Sequence, residues 1–140
     1  MIIHTDGGSR GNPGHAATGV VVLDDAGKDV IYESGVYLGI ATNNTAEYEA
    51  VARALEWVLA EKKNDHLPTP QTLSFKLDSQ LVVEQLSGRY KIKQAHILTY
   101  VKKIHALLRE IGFPATFTYV PRAQNAAADA LVNQALDARG

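Results

Sequence analysis

The stretch Asp6-Gly7-Gly8-Ser9-Arg10-Gly11-Asn12-Pro13-Gly14 constrains the fold of this chain more than any other. It follows the apolar segment 1–5, which predicts a β-strand with Asp6 at its C-terminal end, where open α/β sheets place their ligands. The two glycines after Asp6 allow the backbone to approach another group closely. The last four residues predict a turn, because glycine supplies positive φ and proline fixes negative φ. Taken alone, the stretch is more typical of a hairpin connection that happens to begin with an aspartate.

The composition narrows the class of protein. The chain has 140 residues, a formal net charge of −1 and no cysteine. We expect one domain over residues 1–140, large enough to bury a core. The lack of cysteine excludes disulfides, thiolate metal sites and cysteine nucleophiles, and it fits a reducing compartment, so we expect a cytoplasmic protein. We expect no membrane span and no signal peptide. Since the net charge does not attract polyanions, nucleic-acid binding would need a local patch or metal ions.

Alternating and apolar segments predict four further strands. Short turns separate the strands predicted at 18–23 and 30–38 from each other and from the first, which predicts an antiparallel meander. Alternation predicts a fourth strand over 73–78, and residues 115–120 predict a fifth. Connections long enough for crossover helices imply that the last two strands run parallel to a neighbour.

Helical periodicity separates these strands. We predict a first helix with Asn44 as its N-cap and Glu47 in a capping box, running to about Lys63. A short helix over 79–86, a longer helix that ends at Gly112 and a final helix over about 124–138 follow. The order of elements predicts an α/β fold with a five-stranded mixed sheet flanked by helices.

Four acidic residues stand out by position, namely Asp6, Glu47, Asp78 and Asp129. Each has an ordinary structural explanation: an Asx-turn, a capping box, an N-cap and a helix-dipole partner, in that order. Together the four acids favour a shared site. Asp6 and Asp78 end the first and fourth predicted strands, so they meet at one edge of the sheet if these strands are neighbours. Four clustered carboxylates repel one another unless a cation lies among them. Hard oxygen ligands without cysteine or an organised histidine set favour Mg²⁺ or Mn²⁺.

Four segments of the chain resemble the motifs of ribonuclease H, type 1. The first is the Asp6–Gly14 stretch, and the second is Thr42-Asn43-Asn44-Thr45-Ala46-Glu47. The third is Leu77-Asp78-Ser79-Gln80. The fourth is Val120-Pro121-Arg122-Ala123-Gln124-Asn125 with Ala128-Asp129-Ala130-Leu131. The motifs occur in the order of the family, and the resemblance covers nearly the whole chain.

The resemblance implies a ribonuclease H-like fold and endonucleolytic hydrolysis of the RNA strand of RNA–DNA hybrids, with 5′-phosphate and 3′-hydroxyl products. By the family pattern, two Mg²⁺ ions, with Mn²⁺ as a substitute, are held by the catalytic acids Asp6, Glu47, Asp78 and Asp129. The hybrid is the implied partner, and we expect the protein to be a monomer. The implied substrate-binding residues are Gly7, Gly8, Ser9, Asn43 and Asn44 in the minor groove, and Asn12 and Thr42 on a DNA-strand phosphate. For the last two, a turn asparagine and a helix start are the ordinary explanations.

Two departures from the family pattern affect these expectations. Many members carry a histidine in a longer loop before the final helix, whereas this chain has a short loop with Arg122 as the nearest polar substitute. Some members also insert a basic, tryptophan-bearing handle after the third motif. Here that region has little insertion, but residues 85–109 contain no acid. They carry the cations Arg89, Lys91, Lys93, Lys102, Lys103 and Arg109. This run is either a surface for the DNA strand or a solvated helix face.

Three other functions use some of the same features. A nuclease or transposase core of the same fold would cut DNA, although the glycines after Asp6 and the Asn43-Asn44 pair argue against it. A non-catalytic hybrid-binding module would not need all four acids. A metal-dependent phosphatase for small substrates would need a nucleophile–base pair, which the sequence does not show.

Overall fold

Five strands form one mixed sheet in this computed structural model, which describes residues 1–139, and the strand order is β3-β2-β1-β4-β5. The strands are β1 Ile2–Gly11, β2 Gly14–Leu23, β3 Val30–Ala41, β4 Leu73–Leu77 and β5 Ala115–Tyr119. β1, β2 and β3 are antiparallel, whereas β4 runs parallel to both β1 and β5. The five-stranded mixed sheet is confirmed, with the antiparallel meander and the two parallel pairings.

The helices are α1 Asn43–Lys63, α2 Gln80–Leu86, α3 Ala95–Ile111 and α4 Ala126–Ala138, and a 3₁₀ turn at Arg122–Asn125 precedes α4. The predicted N-cap of α1 is wrong by two residues. Thr42 is the N-cap, and its hydroxyl accepts a hydrogen bond from the backbone N–H of Thr45 at 3.1 Å. The predicted final helix also starts later, because its first turn is the 3₁₀ segment. Gly112 ends α3 in the left-handed conformation, as predicted.

The position predicted for Asp6 is also corrected. β1 continues to Gly11 and pairs with β2 along its full length, so Asp6 lies in the middle of the strand. β4 pairs only with the first part of β1, and its last paired residue is Lys76, opposite His4. Asp6 therefore lies level with Asp78, just beyond the end of β4. From this level onward, one edge of β1 is free of a strand partner.

Helices cover both faces of the sheet. Adjacent residues of a strand point to opposite faces, and Gly7 faces Ala46 of α1 whereas Gly8 faces Val132 of α4. α3 packs on α1 and completes the larger core. The partly buried Trp57, the single tryptophan, packs against that core, and its ring stacks on Tyr32 at 4.6 Å between centroids. Among the described residues, no helix has the length and hydropathy needed to cross a membrane.

Candidate active site

Three carboxylates from three separate elements meet at the free edge of β1. Asp6 comes from β1, Glu47 from α1 and Asp78 from the residue directly after β4. One carboxylate oxygen from each lies within 4.8 Å of the others. Asp6 and Glu47 are buried, with 6% and 9% of their surface exposed, and Asp78 is half-buried. We expected Asp6 and Asp78 to meet if the first and fourth strands were neighbours, and the parallel pairing of β1 with β4 fulfils this condition.

Close packing at Gly7 brings Glu47 to this edge. A Cβ on Gly7 would lie 2.1 Å from the carbonyl carbon of Ala46, so only glycine lets α1 approach β1 so closely. Glu47 follows Ala46 and is thereby held beside Asp6. A close backbone approach at Gly7 was expected, but with the substrate and not with α1. The substrate contact of Gly7 stays a prediction.

Asp129 is brought to the cluster by a fixed start of α4. The buried side-chain amide of Asn125 donates to the Thr5 carbonyl oxygen at 2.9 Å, and its Oδ1 lies 3.0 Å from His4 Nδ1. These contacts fasten the 3₁₀ turn to β1, one helical turn before Asp129. Asp129 lines the same cavity as the three other acids but is more exposed than Asp6 or Glu47.

Burial and mutual repulsion make this cluster hard to ionise. Burial, with the negative charges of Asp78 and Asp129, raises the pKa of Asp6 from 3.8 to about 7. Burial and the charges of Asp6 and Asp78 raise the pKa of Glu47 well above its usual range. The pKa of Asp78 is raised mainly by burial, while the positive charge of Arg122 opposes this rise. Without a cation, these carboxyl groups therefore hold their protons more strongly than exposed carboxyl groups do.

The donor set fits a divalent cation. Glu47 Oε2 is buried and has no hydrogen-bond partner among residues 1–139, which is costly unless another group satisfies it. The predicted capping box would have given Glu47 a partner, but Thr42 takes the cap position and Glu47 lies two residues too far into the helix. Carboxylate oxygens with no sulfur or imidazole beside them are the ligands that Mg²⁺ and Mn²⁺ prefer.

Three of the predicted substrate-binding residues, Ser9, Asn12 and Asn43, form one hydrogen-bond network at the start of α1. Asn43 Oδ1 accepts hydrogen bonds from the backbone N–H of Ser9 at 2.8 Å and from its hydroxyl at 3.1 Å. Asn12 Oδ1 accepts from the backbone N–H of Asn43 at 3.1 Å, next to the capping residue Thr42. The network ties the β1–β2 hairpin to α1. Asn44 lies apart from it, in a separate groove beside α2.

An open cavity of about 500 Å³ holds the acids and much of the predicted substrate surface. Its lining residues are Asp6, Gly7, Gly8, Ser9, Arg10, Asn43, Glu47, Asp78, Tyr119, Arg122, Asp129, Val132, Asn133 and Leu136. Tyr119 and Asn133 were missed by the sequence analysis. Asn133 donates toward Asp129 Oδ2 at 3.5 Å, and their spacing of four residues on one helix was a usable signal. Tyr119 lies opposite Leu77 in the β4–β5 ladder, and no sequence signal gives that register.

Arg122 lies at the cavity wall where the family pattern has a histidine. Its guanidinium is 3.7 Å from Asp129 Oδ1, and its side chain is 81% exposed. No histidine of the described chain lines the cavity. His15, the histidine beside the first motif, has its ring 2.7 Å from the Tyr37 hydroxyl on β3. Arg122 therefore offers an exposed cation, in place of a histidine, for contact with substrate.

The chain matches the family described as reverse transcriptase-like over residues 4–135. The crystal structure of LC11-RNase H1, isolated from compost and solved in complex with RNA/DNA hybrid, is 41% identical. The match covers 99% of this chain and 97% of that one, with a TM-score of 0.90. RNase H1 from the halophilic archaeon Halobacterium salinarum is 39% identical, over 97% of this chain and 96% of that one, with a TM-score of 0.84.

Curated relatives match at similar identity but are longer. Ribonuclease HI of Halobacterium salinarum is 42% identical over 134 residues, which are 94% of this chain and 62% of that protein. A bifunctional protein of Mycobacterium tuberculosis is 38% identical over 138 residues, which are 99% of this chain and 36% of that protein. The chain spans about a third to three fifths of the length of these relatives. The ribonuclease H-like fold is confirmed, and the chain belongs to the reverse transcriptase-like family and, within it, to the type 1 ribonucleases H.

Proposed function

We propose that this protein is an endonuclease that hydrolyses the RNA strand of RNA–DNA hybrids with two Mg²⁺ ions and leaves 5′-phosphate and 3′-hydroxyl ends. The observation that carries the proposal is the meeting of Asp6, Glu47 and Asp78 within 4.8 Å at the open edge of β1. Such a buried acidic cluster has no evident use without cations. Family membership supports the substrate, since a relative 41% identical was solved in complex with RNA/DNA hybrid.

Four residues of this chain would hold the ions: Asp6, Glu47, Asp78 and Asp129. When bound, Mg²⁺ or its substitute Mn²⁺ would supply positive charge that activates a water for in-line attack and stabilises the leaving 3′-oxygen. The carboxylates lie close together and are poorly solvated, so ionising them is costly, and a bound cation would offset that cost. The partnerless Oε2 of Glu47 is the atom with most to gain from a cation.

Other residues would orient the hybrid. Arg122 presents an exposed guanidinium 3.7 Å from Asp129, and its planar set of donors suits a phosphate of the RNA strand. Gly8, Ser9 and Asn43 line the cavity and offer backbone and amide groups to the wide, shallow minor groove, where RNA displays its 2′-hydroxyls. Recognition of the 2′-hydroxyl would explain why RNA rather than DNA is cut.

Asn12 and Thr42 are proposed to bind a phosphate of the DNA strand. Both lie at the N-terminus of α1, where a helix favours negative charge. Asn44, which lines a separate groove of the protein beside α2, is proposed to contact the minor groove of the hybrid. We also propose that the protein acts as a monomer, because one chain supplies all four acids, and that it works in the cytoplasm, since a cysteine-free sequence fits a reducing compartment.

Cleavage of matched substrates tests the proposal. An RNA–DNA hybrid, a DNA duplex and an RNA duplex of one sequence are incubated with the protein, with Mg²⁺ or with a chelator, and the product ends are identified. We expect cleavage of the hybrid RNA strand alone, only with Mg²⁺, and none by the Glu47→Gln variant. Cleavage of the DNA duplex would indicate a DNA nuclease of the same fold. Hybrid binding without cleavage would indicate a non-catalytic module.

A further inference from the structure

The segment between α2 and α3 carries three cationic side chains, and only some of them are paired with an acid. Residues 87–94 have no regular secondary structure. Arg89 is neutralised by Glu84, to which its guanidinium donates two hydrogen bonds, one of 2.9 Å. Lys91 and Lys93 are exposed and form no ion pair within the described residues. Only these two of the three cations are therefore free to bind a polyanion.

Gln85 connects this segment to the helix that carries Glu47. The Tyr48 hydroxyl, on a fully buried side chain directly after Glu47, donates a hydrogen bond to Gln85 Oε1. On its other side, Gln85 Nε2 donates to the carbonyl oxygen of Lys91 at 3.5 Å. One side chain in α2 thus links a rigid core position to the backbone of a free lysine.

A groove of about 200 Å³ lies beside this link, and its lining includes Asn44 of α1 and the 91–94 segment. Leu81 and Ile97 contribute apolar side chains to the same lining. A lysine and an amide donor in one groove match the chemistry that proteins use to hold a nucleic-acid phosphate. The position of Lys91 relative to Asn44 depends on where the Lys91 backbone is held.

We propose that Gln85 is a positioning residue that holds Lys91 in the same groove as Asn44, so that a phosphate of the DNA strand binds between them. The inference rests on the proposed function, since it requires a hybrid as substrate. The contribution of Gln85 is to binding, because its side chain contacts no member of the carboxylate cluster. Ion pairing with a phosphate makes binding salt-dependent, and this gives the inference a specific signature.

Single-turnover cleavage of a defined hybrid in Mg²⁺ at several salt concentrations tests the inference. Half-saturating protein concentrations are measured for the wild type, Gln85→Leu, Lys91→Ala and the double variant. Each single change should raise this concentration several-fold and lower the salt slope by about one. The double variant should be no weaker than the weaker single variant, because Gln85 acts through Lys91. Lys28→Ala, at an exposed turn, removes the same charge and should change nothing.

Other outcomes would overturn the inference. Losses that multiply in the double variant would mean that Gln85 and Lys91 act independently. An unchanged salt slope in Gln85→Leu would mean that Lys91 does not need Gln85. A fall in the maximal rate at unchanged half-saturation would mean that Gln85 acts through Tyr48 on Glu47. Tyr48→Phe, which removes only a hydroxyl, should reproduce the Gln85→Leu effect if the link is as proposed. A wild type that cleaves no hybrid would overturn the proposed function together with the inference.

Discussion

Gly19 lies directly opposite Asp6 in the β1–β2 ladder, and the carbonyl oxygen of Ala128 occupies the space that a side chain at Gly19 would fill. A Cβ at this position would lie 2.2 Å from that oxygen. The backbone of α4 therefore rests on the sheet where Asp6 is, and Asp129, the next residue of the helix, is carried to the cluster.

The Gly19→Ala substitution should consequently harm both stability and cleavage. We expect a loss of about 1–3 kcal/mol in the free energy of unfolding, as is usual for overpacking, because α4 must move away from β2. Asp129 moves with the helix, so cleavage at saturating Mg²⁺ should fall more than stability alone explains. Val58→Ala, a core change distant from the acids along α1, is the comparison. Equal cleavage by two equally stable variants would show that Gly19 does not position Asp129.

Neutralising Asp6 should stabilise the metal-free protein and abolish its cleavage. The pKa of Asp6 is raised from 3.8 to about 7, and each pKa unit corresponds to about 1.4 kcal/mol. Asp6→Asn should therefore add up to about 4 kcal/mol to the free energy of unfolding above pH 7 in a chelator. Urea unfolding measures this change, and the exposed Asp65→Asn is the control. Glu47→Gln and Asp78→Asn should also abolish Mg²⁺-dependent cleavage, and normal turnover in any of the three would contradict their role as ligands.

The stability of the metal-free wild type should fall as the pH rises. Between pH 3.8 and about 7 the folded protein binds more protons at Asp6 than the unfolded chain does, so the free energy of unfolding decreases with pH in this window. The raised pKa values of Glu47 and Asp78 act in the same direction. The test is the difference in unfolding free energy between wild type and Asp6→Asn at several pH values. It should widen up to about pH 7 and then level off. A difference that does not vary with pH would exclude the raised pKa.

Asp129→Asn should reduce cleavage less than Asp78→Asn does. Asp129 lies outside the three acids whose oxygens meet within 4.8 Å, and its neighbours Asn133 and Arg122 remain after the change. Water can take the place of a more exposed ligand on a helix. Single-turnover rates of the two variants at saturating Mg²⁺ provide the comparison. Equal losses of cleavage rate would show that Asp129 contributes as much to cleavage as Asp78 does.

Arg122→Ala should weaken hybrid binding or slow turnover without removing the pH dependence of cleavage. A guanidinium cannot transfer protons near neutral pH because its pKa is far too high. It can bind a phosphate through its fork of donors. Single-turnover cleavage across pH, for wild type and variant, separates these roles. Loss of a titration step near neutral pH in Arg122→Ala, or no effect on binding and rate, would contradict the assignment.

The parts of the fold that follow from local patterns could be predicted from the sequence. Helical spacing gave α1 its end at Lys63, and the positive φ of Gly112 ended α3. The error at Asp6 arose because β1 continues through Gly7 and Gly8. Glycine usually weakens a strand, so the sequence suggested that the strand ended before these two residues. The N-cap of α1 was misplaced because Thr42 and Asn44 are both good capping residues, and the choice between them depends on contacts with the hairpin.

The convergence of the acids was predictable, but the means by which they converge was not. The expectation that Asp6 meets Asp78 depended only on the first and fourth strands being parallel neighbours. The close approach of α1 at Gly7 and of α4 at Gly19 depends on which residues face each other across elements far apart in sequence. The link from Tyr48 to Lys91 through Gln85 depends on side-chain directions, which no periodicity reveals.

The stacking of Trp57 on Tyr32 gives the protein a built-in optical reporter. Trp57 lies ten residues after Glu47 on the same helix, which is roughly 15 Å along its axis. Its fluorescence should therefore respond when the core opens and stay constant when ions or hybrid occupy the far end of the helix. The lack of native cysteines adds a second channel, since a dye on one introduced thiol near Ser9 would report on that far end alone. Unfolding and ligand binding can thus be followed at separate wavelengths in the same sample.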